Sequence, residues 1–464
     1  MTDNCSPAIS PPVFSEYAEF EQYLAGRGLF RMELGLDRMR ESLRLLGLQR
    51  PPFFVAQVVG TNGKGSTSTF LASLAAAHGL TVGLHTSPHF VSVRERIRIN
   101  GAMLPEAEWV QAANVLMQQG QGVRLTYFEL ITCLAVLLFA QHNVAFAVME
   151  TGLGGTFDAT TALEADMVLF APIDLDHTAI LGETLAAVAT DKAGAMRHGK
   201  QALSGPQHGS VVAVLQEVAQ RVGASLLFCG PQETILPEPP VALGLGGAHQ
   251  LGNAALALAG WRVFQANPTV GAPALSGTAA SVCIGTPGNA TAEAHGLATA
   301  WIPGRMQRTA RLLGPRTLGA LEAPYGVPPM VLDGGHNPHG LAALGLSLAK
   351  QGVAPLATVF ACLEDKNVAA MVAHVRAMSP GAIFVPPIAD NPRSMAPAAL
   401  ASAIGLNAFA CTSVEEALCR AAEHMHQRMP EAFTEEGGKH PLLVCGSLYM
   451  LGEVYSLLPE LLEC

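Results

Sequence analysis

Charge is scarce in this sequence: 14% of its 464 residues are Asp, Glu, Lys or Arg, while 50% are hydrophobic. A chain so poor in charge and so rich in apolar side chains can fill large cores, which excludes disorder as its dominant state. Positive charge is the scarcer kind. The 27 Lys and Arg against 37 Asp and Glu leave 27 − 37 = −10. That balance repels phosphodiester backbones and anionic lipid, so neither nucleic acid nor a membrane is expected as a partner. A local basic site can still receive an anionic small molecule. The nine cysteines are odd in number and form no C-x-x-C pair. Cys133, Cys362 and Cys445 lie inside apolar stretches, so reduced thiols and a cytoplasmic location are expected. No apolar run reaches the roughly 18 to 20 residues of a membrane span; the longest, 130–140, is interrupted by Thr132. The first 20 residues are polar, acidic and proline-containing, without the basic-then-apolar order of a secretion signal.

What is present is an alternation of short apolar runs, glycine-rich turns and helical patterns, the mark of α/β architecture with parallel sheets. It occurs twice. The first alternation begins with the apolar run 53–59, which enters the turn Gly60-Thr61-Asn62-Gly63 and a helix over 66–78 with Phe70, Leu71 and Leu74 on one face. Strands are expected at 81–85, 144–149 and 167–171. The stretch 127–141 reads as a largely buried helix, although periodicity alone does not separate it from a buried strand. The second alternation has strands at 330–332, 357–362, 382–385 and 442–445, and helices at 338–350, 368–378 and 414–426. Between the halves, 268–298 is rich in Gly, Ala, Thr, Ser and Pro without strong periodicity. The expected division is a larger domain over 1–300 and a smaller, Rossmann-like domain over 301–464, the boundary lying near 300–303.

The run Gly60-Thr61-Asn62-Gly63-Lys64-Gly65-Ser66-Thr67 stands between an expected strand and an expected helix. Glycines there let backbone N–H groups turn toward phosphate oxygens, and the helix N-terminus adds partial positive charge. Lys64 can neutralise β and γ phosphates, and a following hydroxyl can approach phosphate or metal. The strict G-x-x-x-x-G-K-[ST] spacing is not met, because Gly65 separates Lys64 from Ser66. The first domain is therefore expected to be an N-terminal P-loop ATPase domain built on a parallel sheet.

Several further motifs follow in order. They are Glu33-Leu34-Gly35-Leu36-Asp37-Arg38, Thr86-Ser87-Pro88-His89, Thr126-Tyr127-Phe128-Glu129, Glu150-Thr151-Gly152-Leu153-Gly154-Gly155, Asp158-Ala159-Thr160, Asp176-His177-Thr178 and Asp191-Lys192-Ala193-Gly194. The second half adds His249-Gln250, Asn253-Ala254, Pro303-Gly304-Arg305 and Asp333-Gly334-Gly335-His336-Asn337-Pro338. With these motifs the chain resembles the folylpolyglutamate synthase and dihydrofolate synthase family, relatives of the Mur ligases of cell-wall synthesis.

The resemblance implies an ATP-dependent ligase that adds L-glutamate to dihydropteroate or a reduced folate through an acyl phosphate, with Mg²⁺ as cofactor. It implies that Gly63, Lys64, Gly65, Ser66, Asn253, Arg305 and Asp333 contact ATP, and that Ser87, Glu150 and His177 hold magnesium. Glu33, Leu34, Gly35 and Leu36, Thr126 to Glu129, and Phe157, Asp158 and Ala159 match segments that contact the pterin-bearing substrate. Phe128 offers a flat face to a heterocycle and Asp158 an acceptor for its N–H groups; the plainer alternative for Phe128 is a core position. Lys64, His177 and Lys192 are the implied catalytic residues, Lys192 as a carbamate. The alternative for Lys192 is a surface ammonium paired with Asp191. The chain departs from the common pattern at Thr156, where a basic residue is usual, at Thr161, where Asn often stands, and at Asp191 and Gly335. A monomer is expected. Two other readings stay open: a Mur-type amino acid ligase, and a P-loop nucleotide-binding protein that ligates nothing.

Overall fold

The computed structural model describes residues 11–462 except 29–32, 34, 235, 238–240, 272–274, 276–284, 286–287, 310–313, 315 and 431–438. Eight strands form the first sheet: β1 (Phe54–Val59), β2 (Val82–His85), β3 (Ile97–Ile99), β4 (Ala102–Met103), β5 (Phe146–Glu150), β6 (Met167–Phe170), β7 (Gln201–Ser204) and β8 (Ser225–Phe228). Their order is β4-β3-β2-β5-β1-β6-β7-β8. The pairings from β2 to β8 are parallel, and β3 and β4 join antiparallel at one edge. Every residue of β1 is buried, because helices cover both faces of the sheet.

Alternate β1 residues serve two cores. Phe54, Ala56 and Val58 pack with α3 (Lys64–Ala77) and α9 (Gln250–Ala266). Val55 and Val59 face the opposite core, with α1 (Tyr17–Gly26), α2 (Asp37–Leu45), α4 (Glu106–Gln119), α5 (Tyr127–Gln141), α7 (Leu185–Ala193) and α8 (Gly209–Val222). The short α6 (Thr178–Leu181) lies in the loop after β6. The helix expected over 66–78 starts two residues earlier, at Lys64, because Gly63 caps it in the left-handed region at φ 80°. That position must be glycine: a Cβ there would also lie 2.5 Å from the Asn253 side-chain oxygen.

The second sheet has the order β15-β14-β13-β16-β12-β9. Its members are β9 (Gln307–Arg308), β12 (Met330–Asp333), β13 (Ala357–Phe360), β14 (Ala382–Val385), β15 (Ala408–Ala410) and β16 (Leu442–Cys445); β10 (Arg316–Leu318) and β11 (Leu321–Ala323) form a separate hairpin. Only β9 runs antiparallel. Among the described residues no strand is shared between the sheets, whose members span 54–228 and 307–445 and form the bases of a first and a second lobe.

One segment read as lacking periodicity contains a helix, Ala290–Thr299, capped by the Asn289 side chain. It is tied back to α9 by a buried ion pair, Arg262 Nη2 to Glu293 Oε2 at 2.7 Å. A pair held 31 residues apart leaves no local sequence signal.

Candidate active site

The phosphate loop is built by β1 feeding α3 and is fastened at its base. The Thr61 and Asn62 amides donate to Pro172 O at 2.9 and 3.1 Å, just beyond β6. Lys64 Nζ donates to Thr61 O at 3.3 Å, a neutral contact that leaves its charge available. Gln250 Nε2 donates to Ser66 Oγ at 3.2 Å, and Asn253 Nδ2 to Gln250 Oε1 at 2.8 Å, so α9 braces the first turn of α3.

Glu150 is the last residue of β5, at the carboxyl end where open α/β sheets place ligands. Burial raises its carboxyl above the usual range, opposed by the charge of Lys64, the Ser87 amide and Arg305. The Ser87 N–H donates to its Oε2 at 3.2 Å. A Cβ on Gly65 would lie 3.6 Å from Glu150 Oε2 and 3.8 Å from Arg305 Nη2. Phosphate loop, buried acid and second-lobe arginine thus converge within one small volume. His177 sits in the left-handed region at φ 50°. Burial pushes its imidazole down to about 4, so it stands neutral at pH 7 with a lone pair free.

Among the described residues no group of three or more His, Cys, Asp and Glu is arranged to hold a metal. The donor set nevertheless suits Mg²⁺, which keeps several waters and takes phosphate oxygens beside one or two carboxylates. Glu150 supplies the carboxylate, and among the described residues the Ser87 amide is its one hydrogen-bond donor.

Lys192, in the last turn of α7, is 4% exposed and donates to Gly60 O at 2.9 Å. Burial pushes its ammonium down to about 7, and the nearby charge of Lys64 acts in the same direction. The alternative of a surface pair with Asp191 fails. The Asp191 carboxylate accepts instead from the Gly155 amide at 2.9 Å.

A cavity of about 650 Å³ joins these groups to the expected substrate segments. Its wall includes Glu33, Thr126, Tyr127, Phe128, Glu129, Phe157, Asp158 and Ala159. The Phe128 ring lies so close over Gly152 that a Cβ there would meet Cζ at 2.7 Å. It lines the cavity with one side and packs against the core behind it.

Other expected contacts change character. Glu129 closes a capping box with Thr126 at the start of α5 and binds Arg38, whose Nη2 lies 3.0 Å from its Oε1. Its carboxylate is thus engaged in holding α5 to the 33–38 segment. Asp158 Oδ2 accepts from the Gly152 and Leu153 amides, and Oδ1 from the Thr160 amide and hydroxyl. All four acceptor positions have protein donors, so this residue shapes its loop rather than offering free lone pairs to a pterin. Leu36 is buried in the core and, like Gly35, is not among the cavity-lining residues; Leu34 lies outside the described residues.

The second lobe closes the cavity. Asp333, ending β12, accepts from the Met306 amide at 2.9 Å and the Gly335 amide at 2.8 Å, which holds the turn bearing Arg305. Asn337 Nδ2 donates to Asn62 Oδ1 at 3.0 Å, and Asn62 Nδ2 meets His339 Nδ1 at 2.9 Å. Asp176 receives Lys366 at Oδ1 and faces His336 Nε2 at 3.7 Å from Oδ2. Burial works against its ionised form, but His336, His177 and Lys366 together hold its carboxyl well below the usual range. Lys366, His336, His339, Arg96 and Arg393 all line the cavity, and the sequence reading gave them no role. The Asp333-to-Pro338 motif could have pointed to His336. Lys366, 190 residues from Asp176, offered no such signal.

Residues 323–429 match the family model for the Mur ligase, glutamate ligase domain. The chain is 31% identical over 450 residues to the dihydrofolate synthase/folylpolyglutamate synthase of Escherichia coli (strain K12), with 96% of each chain covered. Among solved structures it is similar to E. coli FolC in complex with DHPP and ADP, at 28% identity and a TM-score of 0.77, covering 97% of this chain and 99% of that one. It is also similar to the bifunctional folylpolyglutamate synthase/dihydrofolate synthase with Mn, AMPPNP and L-glutamate bound, at 28% identity and a TM-score of 0.75, covering 97% and 100%. Similarity that runs from end to end in both sequence and architecture makes this chain a member of the dihydrofolate synthase/folylpolyglutamate synthase family.

Proposed function

We propose that the chain joins L-glutamate to dihydropteroate, to reduced folates or to both, spending ATP to pass through an acyl phosphate. The observation that carries this reading is one cavity lined by Lys64, Glu150 and Lys192 from the first lobe, Arg305 and Asp333 from the second, and the Phe128 face. A carboxylate resists attack by an amine because its leaving group would be oxide; transfer of the γ-phosphoryl group supplies a better one. Lys64 and Arg305 neutralise charge on the transferring group, and the loop backbone orients it. Magnesium, held by Glu150, His177 and the Ser87 hydroxyl, would supply further charge neutralisation on the phosphates. The closed second lobe keeps water from the acyl phosphate. Arg96 and Arg393 of the wall supply cations for the carboxylates of the amino acid substrate. We place the protein in the cytoplasm as a monomer. Its six described cysteines are free, and no described helix is long and apolar enough to cross a membrane.

With Glu33 in the wall beside Thr126 to Phe128, dihydropteroate should be accepted as well as a reduced folate. Mass spectrometry of the products should show one glutamyl residue added to dihydropteroate, with phosphate released only when ATP, glutamate and the pteroyl acid are all present. Turnover of a muramoyl substrate and of neither pterin would move the protein to the Mur branch.

The contact between Asp176 and Lys366 joins the lobes through side chains 9% and 8% exposed. Asp176→Asn and Lys366→Met should each lower kcat/KM, and the double variant should be little worse than either. Interaction energies of about 0.5 to 3 kcal/mol are usual for residues acting as a unit. Strictly additive losses would show that the two act separately.

A further inference from the structure

The loop 152–161 carries Phe157, Asp158 and Ala159, and two of its residues, Thr156 and Thr161, are the ones that depart from the family pattern. Both hydroxyls donate to backbone carbonyls. Thr156 makes two hydrogen bonds to one acceptor: its amide donates to Asp191 O at 3.0 Å and its Oγ1 to the same oxygen at 2.8 Å. Asp191 O, in the last turn of α7, also accepts from the Gly194 amide at 3.0 Å, so the two Thr156 donors and the helix end meet at one carbonyl. The Gly155 amide adds its bond to Asp191 Oδ2 at 2.9 Å. The approach is close: a Cβ on Gly155 would lie 2.5 Å from Lys192 O, and one on Gly194 would lie 2.0 Å from Thr156 Oγ1.

Thr161 anchors the other end. Its Oγ1 donates to Gly155 O at 2.7 Å and accepts from Gln57 Nε2 at 2.7 Å, in the middle of β1. Gln57 Nε2 also reaches Thr160 Oγ1 at 2.9 Å. On the far side of α7's last turn, Lys192 Nζ donates to Gly60 O at the start of the phosphate loop. A continuous path therefore runs from the substrate-wall loop through Thr156 to the Asp191–Lys192 turn, and from Lys192 to the phosphate loop.

We propose that Thr156 is a positioning residue that fixes Lys192 relative to the substrate wall, through its hydroxyl bond to the Asp191 carbonyl. A hydroxyl suits this place. It ties the substrate-wall loop to the helix end without adding a cation beside Lys192, whose ammonium already faces the charge of Lys64. The backbone bond from the Thr156 amide survives any side-chain substitution, so losing the hydroxyl loosens the alignment without releasing the loop.

The role rests on the ligase reading, and the test separates the two. Thr156→Ala removes Oγ1 without adding bulk; Thr156→Ser keeps it. Valine is avoided because its methyl would press on the Asp191 oxygen. In T156A, kcat should fall about three- to tenfold, the range for loss of one net hydrogen bond. The KM for the pteroyl acid should rise, while the KM for ATP stays within about twofold of wild type, since Pro172 O anchors the phosphate loop independently. T156S should recover wild-type constants, and both variants should keep the wild-type melting temperature within about 2 °C. Three results would overturn the role of Thr156: wild-type kcat in T156A, a serine variant as impaired as the alanine one, or a loss of kcat that only tracks a loss of thermal stability. A wild-type protein that forms no glutamyl product would overturn the functional reading itself.

Discussion

Replacing Lys64 by alanine is expected to cut turnover a hundred- to a thousand-fold, the usual consequence of deleting one preorganised electrostatic contact to a transition state. The structure gives this lysine few other duties. Its Nζ makes one neutral hydrogen bond, to Thr61 O at 3.3 Å. The loop around it is held by other groups: the Thr61 and Asn62 amides on Pro172 O, and the Thr61 hydroxyl on Asp174 O at 2.9 Å. Alanine is also the strongest helix former at the first position of α3. The loss should therefore appear in kcat, with circular dichroism and melting temperature close to wild type. Near-normal phosphate release from a correctly folded Lys64→Ala protein would remove the loop from the chemistry.

The second large effect concerns Lys192, which we propose works as a carbamate. An ammonium has no lone pair with which to attack CO₂. Burial, reinforced by the charge of Lys64, brings this group down to about 7, so near neutral pH a substantial share is free amine. Attack of that nitrogen on the carbon of CO₂, with loss of one proton, gives an anion and retains one N–H. That N–H can keep the bond to Gly60 O seen at 2.9 Å. The exchange of a buried cation for an anion also suits a cavity that must hold a divalent metal. Lys192→Ala should lose on the order of a hundred-fold in kcat, and short carboxylates such as acetate should restore part of it by occupying the vacated space. In the wild type at fixed dissolved CO₂, activity should rise as pH passes upward through about 7, because the reactive amine is the deprotonated form. Wild-type rates in the alanine variant, or a plain ammonium at Lys192 in a crystal structure with magnesium and nucleotide bound, would exclude the carbamate.

Much of the fold was legible because its strands are buried on both faces. A parallel strand covered by helices reads as a nearly continuous apolar run, as β6 and β16 do throughout and β1 does apart from Gln57. Helix α5 was legible in extent, since Thr126 and Glu129 form its capping box and fifteen residues are too many for a strand. The reading was poorer where burial is uniform. Thirteen of the seventeen residues of α9 are buried, so no polar face marks its period. The strands β7 and β8, four residues each, were not picked out from the sequence.

By itself the sequence determined which chemistry is available. It supplies a phosphate loop, an acid at a strand end, a candidate histidine, a candidate lysine and an aromatic face, in an order that marks one family. Those are properties of residue type and local spacing. The tertiary structure decided how each group is used, because hydrogen-bond capacity is finite and its allocation depends on residues distant in the chain. Asp158 looked like a substrate acceptor and Glu129 fell in a substrate-contacting segment, yet loop amides, Thr160 and Arg38 already hold their oxygens. Asp191 was the alternative partner for Lys192, yet its carboxylate binds the Gly155 amide while the buried lysine donates to Gly60 O. Asp176 meets Lys366 across 190 positions. Only folding brings these groups together, and only then do burial and neighbouring charge shift Glu150, His177 and Lys192 from their ordinary protonation behaviour.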